Sequence, residues 1–157
     1  MKHWGKLFLG LYVVISIAAC QTIDLYEQVT TYPDHIWESK QANQYQFNIA
    51  DSNANYNMSF IIRHHNAYHY KNIWLQVITQ SATDSAEKQT VNINLADDAN
   101  GWLGSGMDDI YDHRVLINTK PLKLPKGIFK VSVQHIMRED PLQNILTTGI
   151  RVEKIKP

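Results

Sequence analysis

The sequence predicts a single antiparallel β-sandwich of about seven to eight strands behind a short N-terminal leader. Three observations carry this. Period-two alternation of apolar and polar residues recurs from Asn43 to the C-terminus. The alternating runs are short and are separated by turn signals at regular spacing, as in all-β sandwiches. No stretch offers the spacing of apolar residues that a 10–15-residue amphipathic helix needs.

Residues 1–19 read as a targeting leader. Lys2 and Lys6 form its positive start and Leu7 to Ile17 its apolar middle, which is too short for a comfortable membrane span of about 20 residues. The leader ends Ile17-Ala18-Ala19-Cys20. Small residues before a single Cys match a bacterial lipobox, with cleavage after Ala19 and lipid attachment at Cys20. Two or more acyl chains give the stable anchoring that one cannot. Cys20 is the only cysteine, so an acylated chain has no disulfide. What remains has the size of one domain. The chain has 15 basic and 15 acidic residues, and the leader removes two of the basic ones. A weakly acidic domain without a basic run is a poor nucleic-acid binder.

Residues 20–40 are expected to form the lipidated tether and an entry segment, and 41–157 the sandwich. Tyr32-Pro33-Asp34 is a turn signal, and Trp37 is expected to pack onto the domain. Tyr45, Phe47 and Ile49 share one parity; Asp51 to Asn55 is a turn; Tyr56, Met58, Phe60 and Ile62 alternate next. Ile73, Leu75 and Val77 oppose Trp74, which is placed to cover the second face. Ser81 to Lys88 reads as a polar loop, then Val91, Ile93 and Leu95 as a strand. Arg114 to Asn118 is a short strand, Phe129, Val131 and Val133 another, and Leu146 to Ile155 closes the domain.

After the strand at 91–95, and running into the one at 114–118, comes Gly101–Ile117, with glycines at 101, 104 and 106, Trp102, and aspartates at 108, 109 and 112. It reads as a long irregular loop, the usual place for function on a β-scaffold. With Asp97 and Asp98 its carboxylates suggest a hard-cation site, but the ligand order of a calcium loop is missing. Capping of turns, with a helical turn around Met107–Asp112, is the preferred reading. His64 and His69 lack a third metal ligand, so the stretch between them reads as a polar, aromatic hairpin turn. Asn66, Tyr68, Tyr70, Trp74, Trp102 and Tyr111 would suit a glycan-binding face, or simple partial burial. No Ser stands in a nucleophile elbow. No catalytic residue, metal site or cofactor is therefore assigned.

Several stretches together resemble the gliding motility lipoprotein H (GldH) family of Bacteroidota. The most specific is Gly101-Trp102-Leu103-Gly104-Ser105-Gly106-Met107-Asp108-Asp109-Ile110, supported by Tyr111-Asp112-His113-Arg114, by Ile62-Arg63-His64, by Asn72-Ile73-Trp74-Leu75 and by Gln134 to Leu142. The resemblance spans almost the whole mature chain. It implies a membrane-anchored accessory to surface motility and the protein secretion linked with it, with no catalytic residues. Asp84-Ser85-Ala86 also matches a short O-glycosylation pattern of the same phylum. No acidic cluster follows Cys20, and Asp is absent directly after it, which favours the periplasmic face of the outer membrane.

The leading expectation is thus a non-enzymatic lipoprotein that binds other envelope motility or secretion proteins. Trp102, Asp108, Asp109, Tyr111, His113 and Arg114 are the candidate contacts, with the loop Arg138–Leu142, since aromatics and Arg dominate binding hot spots. A glycan- or cell-wall-binding module is the alternative, and a metal-dependent hydrolase the third class.

Overall fold

The computed structural model describes residues 25–155. The leader, the cleavage after Ala19 and the lipid attachment at Cys20 lie outside these residues. Among the described residues thirteen strands follow one another and no helix occurs. They are β1 (Leu25–Thr31), β2 (Ile36–Trp37), β3 (Asn43–Ile49), β4 (Tyr56–His65), β5 (Asn72–Ser81) and β6 (Glu87–Asn94). Then come β7 (Ala96–Asp97), β8 (Gly101–Trp102), β9 (Ser105–Met107), β10 (Ile110–Leu116), β11 (Gly127–His135), β12 (Leu142–Gln143) and β13 (Ile145–Lys154).

Two antiparallel sheets face each other, ordered β1-β13-β4-β10-β9 and β3-β11-β5-β6. The alternation explains why they close. Tyr45, Phe47 and Ile49 from β3, Phe129, Val131 and Val133 from β11 and Ile73, Leu75 and Val77 from β5 are buried on one sheet, and Met58, Phe60 and Ile62 from β4 on the facing one. A period of two puts each such set on one face, so only face-to-face stacking removes both sets from water.

Four departures from the sequence reading have physical causes. Leu25–Thr31, expected in the tether, is a seven-residue edge strand paired with β13 from Leu25↔Glu153 to Thr31↔Thr147. Its outer face is exposed, so its alternation is weak. β4 and β5 do not form a hairpin: they belong to different sheets, and residues 66–71 cross between them. Parity gives the face of a strand, not its partner. The glycine stretch is two tight antiparallel pairs, β7 with β8 and β9 with β10, and there is no helical turn at Met107–Asp112. Trp74 does not find cover on the second face; it is 42% exposed.

The connections alternate between two ends. Residues 32–42, 66–71, 95–109 and 136–144 gather at one end, and 50–55, 82–86 and 117–126 at the other. Ten-residue strands separate these ends by roughly 30 Å. Trp37 is fully buried at the first end, stacked on Tyr32 at 5.8 Å and edge-on to His135 at 5.1 Å. The His135 Nε2–H donates to the Trp37 carbonyl at 3.0 Å.

Candidate functional site

The glycine stretch is held by a cluster of rings. In the register of β4 with β10, His64 stands opposite Tyr111 and Ile62 opposite His113. His64 and His113 are therefore diagonal neighbours on one face, within reach of each other. Their rings lie nearly parallel at 5.0 Å, and the two Nε2 atoms are 2.9 Å apart. The protons can be assigned. His64 Nδ1 lies 2.7 Å from the His65 carbonyl, which only accepts, so Nδ1 carries the hydrogen. Neutral His64 then accepts at Nε2, and the His113 Nε2–H donates to it. Burial, with the neighbouring His64, pulls the His113 pKa down to about 4, and burial lowers that of His64 as well.

Trp102 caps this pair. Its ring meets His64 edge-on at 4.4 Å and lies 5.7 Å from Tyr111 and 6.3 Å from Tyr68. The glycines let the backbone settle onto the rings. A Cβ at Gly104 would fall 2.5 Å from the Asp112 carbonyl oxygen and 2.8 Å from His113 Nε2. At Gly106, cross-strand from Tyr111, it would fall 2.8 Å from the Tyr111 ring. Gly101 has φ +70°, a left-handed turn that glycine takes without penalty. So the glycines serve close approach as well as turning.

The carboxylates are spread over three tasks. Asp97 accepts from the Asn100 side-chain amide at 2.9 Å and from the backbone amides of Asn100 and Ala99 at 2.6 and 2.9 Å, an Asx-type turn that holds its carboxyl below the usual range. Asp98 pairs with Lys71. Asp109 accepts from Asn66 Nδ2 at 2.8 Å. Asp112 takes a two-pronged hydrogen bond from Arg63 at 2.7 and 2.8 Å on the outer face. Asp108 sits exposed at the hairpin tip with φ +53°. His64 and His69 do not meet: His69 Nδ1 pairs with Glu139 at 2.9 Å.

The six candidate contacts consequently divide. Trp102, Tyr111 and His113 face inward and brace the hairpin, and Tyr68, also named for a glycan face, is 5% exposed. Arg114 lies on the outer face, beside Glu27 at 3.3 Å. Only Asp108 and, more weakly, Asp109 belong to the projecting tip. The residues that do project were not singled out in the sequence: Met107 is 79% exposed and Leu103 49%. Their signal was available, since apolar residues within a glycine run have no alternating partner to bury them. Beside them β10 pairs with β9 only over Ile110–Asp112, so the backbone of Arg114 to Leu116 forms an open sheet edge. A shallow groove lined by Asn94, Leu103, Ser105 and Val115 runs along it. A separate cleft of about 240 Å³ opens at the opposite end, lined by Met58, Ser81, Ile117, Leu124 and Phe129, among others.

These features define a class: a single-domain antiparallel β-sandwich that presents a short apolar hairpin, rigidly supported by a buried aromatic–imidazole cluster. Comparison with known proteins gives the family. The model of the GldH lipoprotein family matches residues 24–152, and the chain belongs to that family. It is 24% identical, over 98% of both chains, to the gliding motility lipoprotein GldH of Flavobacterium johnsoniae. A family of lipoproteins makes this chain a lipid-anchored protein of the cell envelope, and the family is described by that anchoring and not by a reaction.

Proposed function

We propose that the chain is a non-enzymatic interaction protein, accessory to gliding motility and to the secretion linked with it, anchored through Cys20 to the periplasmic face of the outer membrane. The projecting hairpin supports this reading most directly. Leu103 and Met107 are large apolar side chains held in water beside an open strand edge, on a hairpin that the rings beneath keep rigid. Exposed edges are templates for another chain, and an extended partner segment adds to them through backbone hydrogen bonds while side-chain grooves select its sequence. A preorganised surface loses little freedom on binding. Likeness to a gliding motility lipoprotein supports a partner among envelope motility proteins. A glycan platform has less support, because Tyr68, Trp102 and Tyr111 pack around His64 while Trp74 stands exposed away from them on the other sheet.

Affinity purification from native membranes tests both parts. The Cys20→Ala chain is expected to leave the membrane fraction when the membranes are washed at high salt. The Leu103→Ser/Met107→Ser chain is expected to stay anchored and folded but to lose its co-purifying envelope proteins. Retention of those proteins by the double variant would overturn the hairpin's role, and full membrane partitioning of Cys20→Ala after the high-salt wash would overturn the anchor.

A further inference from the structure

We infer that the end of the sandwich opposite the glycine hairpin is a docking face for an anionic lipid bilayer. The inference rests on the proposed lipid at Cys20 for its orientation, and its remaining support is independent of that lipid. β1 begins at this end, where Leu25 pairs with Glu153 beside the Tyr56↔Lys154 pair. From Cys20 to Leu25 the chain can span no more than about 18 Å. That is shorter than the sandwich, so an anchored domain presents this end to the membrane.

The charges are sorted to match. Lys88, Lys120, Lys123, Lys126, Lys130 and Lys154 gather here, against Asp51, Asp84, Glu87 and Glu153. Three of these lysines stand on the one loop between β10 and β11, and all three are exposed. The far end is the reverse. The acid pairs 97–98, 108–109 and 139–140, with Asp34 and Glu38, outnumber Lys40, Lys71 and Arg138 there. A chain close to neutral overall thus has a basic membrane-proximal end and an acidic distal end. At this end two large apolar side chains stand in water on the outer faces of the two sheets, Leu116 at 51% and Ile128, on the face that carries Lys130, at 46% exposure. Lysines flanking exposed apolar residues suit an anionic interface: the ammonium groups meet phosphate headgroups, and the apolar side chains enter the acyl boundary. The acidic end is repelled from the same surface. The pull of each lysine fades within a Debye length, so the docking is expected to be salt-sensitive.

Co-sedimentation with vesicles tests this on the full chain carrying Cys20→Ala, so that no lipid anchor contributes. Vesicles of phosphatidylethanolamine with about one-third phosphatidylglycerol are compared with pure phosphatidylcholine, at low and high salt. The protein is expected to bind only the anionic vesicles, and to release in high salt. Lys120→Glu/Lys123→Glu/Lys126→Glu is expected to weaken binding by about a hundredfold or more, roughly fivefold for each lysine removed from the surface. Lys40→Glu/Lys71→Glu/Arg138→Glu changes net charge equally at the other end and is expected to leave binding within about threefold. Absence of binding to anionic vesicles at low salt overturns the inference, as does an equal loss in the two triple variants, which would make net charge alone responsible. Intact mass of the native lipoprotein reports separately on Cys20: a chain without lipid would remove the anchor while leaving the vesicle result standing.

Discussion

Gly104 shows how a residue type can be legible while its reason is not. Three glycines in six positions read as an irregular loop, yet Gly104 is placed where the backbone presses on its neighbour strand. The added Cβ of Gly104→Ala would lie 2.5 Å from a backbone oxygen, which cannot rotate away as a side chain can. The hairpin must lift, and overpacking of this kind costs about 1–3 kcal/mol. The expected outcome is a lower Tm for Gly104→Ala, together with a change in Trp102 fluorescence as its contact with His64 opens. An unchanged melt and spectrum would show that the hairpin is not packed as described. His64 and His113 were equally hard to read. Forty-nine positions apart, they become neighbours only through the register of β4 and β10, which single-sequence alternation does not contain.

Among the elements, the long alternating strands were readable because each has one wet and one dry face. β1 was not, because it is an edge: of its seven residues only Tyr26 and Thr30 are even partly covered. What fixes it is Gly149 in β13. Val29 stands opposite that glycine, and a Cβ there would meet the Gln28 carbonyl at 2.6 Å and Val29 Cγ1 at 2.7 Å. Glu27 adds ion pairs to Arg151 at 2.9 Å and Arg114 at 3.3 Å, which at such exposed positions contribute modestly. Gly149→Val is therefore expected to detach β1 before anything else. Hydrogen exchange should accelerate first over residues 25–31, with a loss of about 1–3 kcal/mol in stability. Uniform acceleration across both sheets would contradict this local account. β9 is the opposite case, a three-residue strand invisible as alternation, whose exposure suits an element that meets another molecule.

The whole molecule concentrates three buried histidines, His64, His113 and His135, towards its distal half. Burial lowers the pKa of each, chiefly by removing the charged form from water. Around them stand Asp112, which favours protonation of His64 and His113, and Asp140, which does so for His135 with its Oδ1 at 3.8 Å. An unfolded imidazole titrates near 6.5, and folded His113 near about 4. The unfolded chain therefore takes up protons first. Stability is complete above pH 6.5, falls as pH drops from about 6.5 towards 4, and His113 alone accounts for on the order of 3 kcal/mol of that fall. Urea melts at pH 7.5 and 4.5 should show it, with a smaller difference in His113→Gln; identical midpoints would refute the assignment. Fold class was legible because alternation is a property of the whole chain. The asymmetry of the two ends was not, because it emerges only once the turns are sorted by where the strands deliver them. That arrangement has a mechanical consequence. β1 enters at the end opposite the glycine hairpin and runs lengthwise beside β13. A tug between the tether and a partner held on the distal hairpin runs along the strands, so the β1–β13 rungs resist it together in shear. They are not peeled apart one after another. Strand direction thus makes β1 the seam that carries the tension.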